Sequence, residues 1–177
     1  MARGIDCVGY RQTGTYASST YNEVRNIKDL QLADSYDFSD VSTRHERGMT
    51  VEESTMQKVM YTGMMREPEI SAIAGDPAYD DCLAFQVAYD TRTPIQLEIL
   101  TGPRTTSGVR GYNGFFNVKK WDQDQSNGST LFRSFELSPA PVPASVLAVT
   151  ATAEAMRKVL VTAGNATYAV VGSNSYA

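Results

Sequence analysis

The chain has the length and composition of one ordinary globular domain. Of its 177 residues, 42% are hydrophobic and 20% are charged, which excludes an intrinsically disordered chain. No stretch approaches the ~20 apolar residues of a transmembrane helix, and the N-terminus lacks the apolar core of a signal peptide. The net charge of −4 argues against a protein that grips nucleic acid by its phosphates, which needs a basic surface. We therefore expect a folded protein that has no membrane or export signal and that does not hold DNA specifically.

The first third of the chain predicts short strands and then a long polar loop. Strand candidates lie at 21–25, 30–33 and 36–42, and the loop runs from Arg44 to Thr62. A loop of about 19 residues inside a compact domain is usually functional or disordered. It is either a mobile surface loop or, as we prefer, a loop ordered against neighbouring subunits, because methionines adapt to a partner and charges set the register. The candidate residues for such contacts between subunits are Arg44, Arg47, Met49, Glu52, Glu53, Met56 and Lys58.

One short helix is predicted in the middle of the chain, after a strand at 64–73. Asp76 is a good N-cap, and Pro77 occupies the first helical position, where its missing N–H costs nothing. Helical spacing then groups Tyr79, Cys82, Leu83, Gln86 and Val87. The helix should end near Tyr89–Asp90.

Three segments after the helix predict an antiparallel meander. They lie at 93–100, 109–121 and 129–137, and their links are rich in turn-forming residues. In the first, Ile95, Leu97 and Ile99 alternate with polar residues, which predicts a half-buried strand. Because the apolar face of a sheet must be covered, we expect a mainly β fold, a two-sheet sandwich or small barrel with one short docked helix.

The C-terminal part is set off by a proline-rich segment, Ser138–Ala144. Such a segment runs extended and cannot lie inside a helix or a central strand. We therefore divide the chain into a β-sandwich body at 1–138 and a linker with a C-terminal arm or hairpin at 139–177. Within the tail, 157–162 and 167–171 predict a hairpin across Ala163–Ala166, where Gly and Asn favour a tight turn.

Candidate chemical sites are few, and each has a simpler interpretation. The only histidine, His45, lies in the polar loop without a nucleophile partner, so a solvated side chain is expected. Asp122–Gly128 resembles a calcium loop but has Asn127 and Arg133 where an EF-hand needs Gly and Glu, so a hairpin turn is the better interpretation. Cys7 and Cys82 have no metal-binding spacing and are expected to be reduced thiols, with a disulfide as the alternative. We expect no catalytic residue, metal or cofactor.

The order of several motifs resembles the major tail tube proteins of long-tailed, siphovirus-like bacteriophages. Ile27–Arg44, with its Asp-rich turn and closing Asp-Val-Ser, is similar to the opening of that family. A polar loop, an Ile-Ser strand at Glu69–Ile73 and a helix opened by Asp-Pro follow in the same order. A strand ending in Thr-Gly, one with Gly and Phe at Gly111–Phe115, and an amphipathic strand complete the match, which covers roughly residues 21–138.

The resemblance implies a structural virion protein. In that family, which shares its fold with the type VI secretion tube, two sheets and a helix form a subunit. Six subunits close a ring, and stacked rings line a conduit for DNA ejection. The implied partners are other copies of the chain, tape-measure, terminator and baseplate or tip proteins, and passing double-stranded DNA. The implied location is the phage tail, after synthesis in the host cytoplasm. The alternatives are a contractile-injection or type VI-like tube, a capsid decoration β-sandwich, and a small hydrolase or metal-dependent enzyme. The last alternative would need a catalytic constellation, and the sequence shows none.

Overall fold

The structure is a computed structural model that describes residues 7–15, 18–40, 52–67, 75–124, 131–149 and 156–170. Within these ranges the chain forms nine strands and two helices. They are β1 (Val8–Thr15), β2 (Ser18–Glu23), β3 (Ile27–Asp40), β4 (Glu52–Arg66), α1 (Pro77–Thr91), β5 (Ile95–Leu100), β6 (Arg110–Asp124), β7 (Phe132–Pro139), α2 (Ala144–Leu147), β8 (Met156–Thr162) and β9 (Asn165–Val170). Neither helix is long and apolar enough to cross a membrane.

All nine strands belong to one antiparallel sheet, in which β6 pairs with three other strands. The order is β2-β1-β5-β6-β7-β4-β3, and the β8–β9 hairpin pairs with β6 through β8. The first part of β6 pairs with β5 and β8, and its second part, from Phe116 to Asp124, pairs with β7. The prediction of a mainly β fold with a docked helix is confirmed, and the two expected layers are two parts of one sheet that share β6.

The part of the sheet around β5 and β6 curls strongly. The Asn113 side-chain amide on β6 donates to the Tyr21 hydroxyl on β2 at 2.7 Å, although three strand spacings, about 14 Å, separate these strands in a flat sheet. On the other side, the Tyr168 hydroxyl on β9 donates to Glu98 on β5 at 3.1 Å, although these two strands are also three spacings apart along the sheet. The strands from β2 to β9 therefore wrap around a shared interior.

Helix α1 covers the larger hydrophobic core. Phe85 is fully buried, and its ring centroid lies 5.3 Å from that of Phe135 on β7 and 6.0 Å from that of Trp121 on β6. The helix begins as predicted, because the Asp76 carboxylate accepts hydrogen bonds from the N–H groups of Ala78 and Tyr79. It ends at Thr91, slightly later than expected. A second, smaller core lies on the other face of the sheet and contains Tyr10, Leu100, Val109, Val159 and Val161.

The prediction of a polar loop at 44–62 is wrong from Glu52 onwards, where the chain forms β4. Likewise, the described residues of the strands predicted at 30–33 and 36–42 belong to one strand, β3, which pairs with β4; residues 41 and 42 lie outside the described ranges. Register shifts between Lys28 and Gln31 and between Asp37 and Phe38 interrupt the pairing. Because each bulge inserts an extra residue, a regular alternation does not run along these strands. Strand β4 ends at Arg66, and the rest of the strand predicted at 64–73 lies mostly outside the described residues.

The predicted C-terminal hairpin is confirmed, with a shorter turn. Ala163 and Gly164 alone connect β8 to β9, and both have positive φ, at 50° and 82°. Two central residues with positive φ match the twist of the flanking strands. The hairpin is not a free arm, since β8 pairs with β6 from Arg110 to Gly114. The division of the chain at residue 138 stays a prediction, and β1 and the short α2 were not predicted.

Candidate functional site

The far half of the β3–β4 hairpin extends beyond the rest of the described sheet. We call this part, residues 33–40 and 52–60, the ribbon. Its backbone pairing runs from Ala33 opposite Met60 to Asp40 opposite Glu52, whereas β4 pairs with β7 only from Tyr61 onwards. At ~3.3 Å per residue the ribbon is about 26 Å long. A two-stranded ribbon is at best marginally stable alone in water, so this element is suited to contact another molecule.

Some of the predicted subunit-contact residues lie within the described ranges, and these are all in the ribbon. Glu52, Glu53, Met56 and Lys58 lie on β4, and their backbone partners on β3 are Asp40, Ser39, Asp37 and Ser35. Arg44, Arg47 and Met49, together with His45, lie outside the described residues. The structure thus places four of the seven candidates in a paired strand, not in a loop.

The ribbon is acidic. It carries the carboxylates of Asp34, Asp37, Asp40, Glu52 and Glu53 against a single lysine, Lys58. The backbone register pairs Asp40 with Glu52, so acidic residues of the sequence come together where the described part of the hairpin ends.

A buried polar network around Glu98 was not predicted. The alternation in β5 suggested that Gln96 and Glu98 face solvent, but Glu98 is 0% exposed and Gln96 is 8% exposed. The Tyr168 hydroxyl and the Asn113 side-chain amide donate to Oε2 of Glu98 at 3.1 and 3.3 Å. Arg104 Nε lies 3.3 Å from Oε1 in an ion-pair contact. The only signal in the sequence was a charged residue inside a strand in which four of the six residues are apolar.

The network links the strands in the curled part of the sheet through hydrogen bonds and an ion pair. A buried carboxylate is costly unless charged and hydrogen-bonding partners surround it, and those of Glu98 come from three other parts of the chain. Arg157 on β8 extends the network, because it donates to Oδ1 of Asn113 at 3.0 Å and lies 4.2 Å over the Tyr168 ring. Burial and the Glu98 charge raise the pKa of the Tyr168 phenol, so it remains a hydrogen-bond donor. We interpret this network as structural.

The described residues contain no group of three or more His, Cys, Asp or Glu side chains that could hold a metal ion. The two cysteines are not joined in a disulfide; Cys82 is buried and Cys7 is half-buried. Residues 125–128 of the candidate calcium loop lie outside the described ranges, and residues 122–124 continue β6.

Comparison with solved structures finds chains that share this fold. No protein-family model and no curated protein sequence matches the chain. A chain from the tail of an empty gene transfer agent (GTA) particle, refined helically with C6 symmetry, matches with a TM-score of 0.56 and 12% identity, over 80% of this chain and 96% of that one. The SPP1 tail tube matches with a TM-score of 0.55 and 10% identity, over 78% and 75%. The baseplate of the anti-feeding prophage (AFP) matches with a TM-score of 0.50 and 12% identity, over 88% and 92%. The chain has the fold of these tail, tail tube and baseplate chains.

Proposed function

We propose that the chain is the tail tube subunit of a long-tailed, phage-like particle. Its function is structural: it self-assembles into hexameric rings, and the stacked rings form the conduit for genome ejection. The observation that carries the proposal is the likeness to the SPP1 tail tube and to the GTA tail, which covers about four-fifths of the chain. The order of the sequence motifs along residues 21–138 supports the same family independently of the tertiary structure.

The ribbon is the element that we assign to contacts between stacked rings. The paired ribbon is about 26 Å long, and no other described strand flanks it. The other strands pair with β3 and β4 only up to the pair of Leu32 with Tyr61. Axial stacking needs such a heterologous contact, in which one patch meets a different patch on the next copy. The contact residues in this proposal remain Arg44, Arg47, Met49, Glu52, Glu53, Met56 and Lys58.

The charge of the chain is compatible with a conduit for DNA. Duplex DNA carries one negative charge per about 1.7 Å of its axis, so a basic wall would bind it and slow its passage. The chain has a net charge of −4, and its ribbon holds five carboxylates and one lysine. A neutral or acidic conduit lets DNA pass without specific binding. Further partners in this proposal are the tape-measure, terminator and baseplate or tip proteins, and the location is the virion tail after synthesis in the host cytoplasm.

A second candidate function is the tube of a contractile injection system. The observation that favours it is the likeness to a chain of the AFP baseplate. The two candidates differ in their particles. An antibody against this chain should label tails of particles that protect DNA from nuclease if the first is right. It should label sheathed particles that lack DNA if the second is right.

Electron microscopy of the purified chain tests the proposal. We expect rings or hollow tubes in negative stain at high protein concentration. A chain that stays strictly monomeric, with or without an initiator complex, would overturn it.

A truncated ribbon tests the assignment of the inter-ring contact. Replacing residues 35–58 with Asn-Gly joins Asp34 to Val59, which already face each other in the register, through a favoured two-residue turn. Because the core residues Tyr61 and Met65 stay in place, we expect an unchanged fold by circular dichroism and no tubes. Loss of the fold would show that the ribbon belongs to the subunit core, and normal tubes would show that it makes no inter-ring contact.

A further inference from the structure

Strands β7 and β8 lie end to end along one edge of β6, the edge opposite β5. Strand β8 begins with Met156 opposite Gly114. Directly after β7, the Ala140 N–H donates to the carbonyl oxygen of Phe115, the next residue of β6, at 2.8 Å. Ala140 and Met156 therefore occupy neighbouring positions on β6, although residues 141–155 separate them in the sequence.

The connection between β7 and β8, residues 141–155, is far longer than this geometry requires. We call it the connector. Neighbouring positions along a strand are only ~3.3 Å apart, whereas a connection of this length spans up to about 50 Å when it is extended. Connections this long are uncommon in a compact domain and are usually functional.

The described part of the connector lies on the outside of its own subunit. None of residues 141–149 is buried, and the backbone hydrogen bonds of α2 run among residues 143–149. Pro141, where the pairing with β6 stops, has no N–H to donate to the sheet. Pro143 follows in the extended conformation, with φ −60° and ψ 143°. The two prolines therefore lead the chain away from β6.

The β8–β9 hairpin fills a site on the rest of the subunit, which we call the socket. The socket is formed by Glu98, Leu100, Val109 and Asn113. Val159 and Val161 of the hairpin are 0% exposed and pack with the apolar part of the socket in the smaller core. Because an open socket would expose this apolar surface to water, each subunit needs a hairpin there.

Polar contacts make the socket specific for this hairpin. Arg157 donates to Oδ1 of Asn113 at 3.0 Å, and the Tyr168 hydroxyl donates to Oε2 of Glu98 at 3.1 Å. A buried carboxylate that loses such partners is costly. The socket therefore fits a β8–β9 hairpin, and its contacts are the same whether the hairpin belongs to the same chain or to a second copy.

We propose that, in the assembled particle, the β8–β9 hairpin of each copy occupies the socket of a neighbouring copy. This inference rests on the proposed function, since it names a contact by which tube subunits hold one another. The exchange of an identical element keeps every contact of the hairpin and is a low-cost route to association. Because each copy gives a hairpin to one neighbour and accepts one from another, the exchange closes a ring or continues along a filament.

The connector is long enough for this exchange. A compact chain of this length has a radius of gyration of about 16 Å, and hence a diameter of roughly 40 Å. The connector spans about 50 Å when extended, or roughly 45 Å if α2 persists, so it reaches the equivalent socket of an adjacent copy. Leu147 and Val149, which are 43% and 74% exposed, then lie between two copies.

A disulfide across the socket tests the exchange. Arg110→Cys and Leu160→Cys, made together in one chain, place cysteines at paired positions of β6 and β8, where the Cα separation suits a disulfide. The control pair is Thr162→Cys with Asn165→Cys, which face each other within the hairpin and share one chain in either arrangement. Each variant is concentrated, oxidised and run on a denaturing gel without reductant, and the remaining thiols are alkylated during denaturation.

We expect the socket pair to give covalent multimers at a yield at least roughly tenfold above that of the control pair, because its disulfide joins one copy to the next. Tubes in which the socket pair is crosslinked only within each chain overturn the exchange and leave the tail tube role standing. Multimers without tubes support the exchange and contradict the tail tube role. A chain that stays monomeric at high concentration, with crosslinks only within it, contradicts both.

A shortened connector tests whether its reach is what matters. Deleting residues 141–155 joins Ala140 to Met156 at neighbouring positions on β6, so the hairpin fills its own socket and reaches no other. We expect this variant to fold, as measured by circular dichroism, but to build no tubes. A Gly-Ser linker of the original length keeps the reach, and we expect it to preserve the tubes. Tubes built by the deletion variant, or loss of tubes in both variants, would overturn the exchange.

Discussion

Replacing Phe85 by Ala measures how strongly helix α1 is held on the sheet. The side chain is 0% exposed and packs edge-on against Phe135 and at a tilt against Trp121. Alanine is the better helix former by less than about 0.7 kcal/mol, so the loss comes from packing and is only slightly offset by the helix. Phe→Ala in a core costs about 3–5 kcal/mol through lost burial and the cavity that remains. The two aromatic contacts place this site towards the upper end of that range. We therefore expect about 4 kcal/mol of lost unfolding free energy.

Urea unfolding followed by tryptophan fluorescence measures this loss, because Trp121 is the only tryptophan and contacts Phe85. Leu83→Ala is the matched control on the same helix. Since Leu83 is 44% exposed, its replacement should cost less than about 1 kcal/mol. The dependence on urea should stay unchanged in both variants if unfolding remains two-state. Equal losses for the two variants, or a loss below about 1 kcal/mol for Phe85→Ala, would contradict the described packing of α1.

Two further predictions concern the sheet and the thiol. A Cβ on Gly111 would lie 1.9 Å from the Ile99 carbonyl oxygen, so Gly111→Ala should lose more than about 4 kcal/mol or fail to fold; a soluble variant with wild-type unfolding would refute the close approach of β5 and β6. Burial, and secondarily the Glu67 charge, raise the pKa of the Cys82 thiol from 9.0 to about 11. The unfolded chain then loses this proton first, so stability should fall between pH 9 and about pH 11. This part of the fall should be absent in Cys82→Ala when unfolding is compared at about pH 8 and about pH 10.5, and an identical fall in both proteins would contradict the assignment.

The elements with local signals were predictable. The start of α1 follows from Asp76 and Pro77, because capping depends on adjacent residues alone. The hairpin of β8 and β9 follows from the turn residues between two apolar runs, and β5 follows from its alternation. In each case the decisive interaction lies within a few residues, so the sequence carries the information.

Features that depend on distant partners were not predictable. Helical spacing groups Leu83 and Val87 with Cys82, but the side of α1 that faces the sheet is decided by where Trp121 and Phe135 lie. The extent of β4 was missed because its bulged pairing with β3 disturbs the period. The alternation in β5 indicated an exposed Glu98, whereas the curl of the sheet brings Tyr168 and Arg104 around it.

The sequence by itself determined that this is a mainly β, acidic chain with one capped helix and a C-terminal hairpin. Composition, turn chemistry and short-range periodicity are local properties, and they act in the same way in any tertiary context. Only the tertiary structure decided which polar residues are buried, that the ribbon extends past the sheet, and that Leu83, Val87 and Val149 stay exposed. The physical reason is that burial depends on strand order and curvature, which arise from contacts between residues that are far apart along the chain.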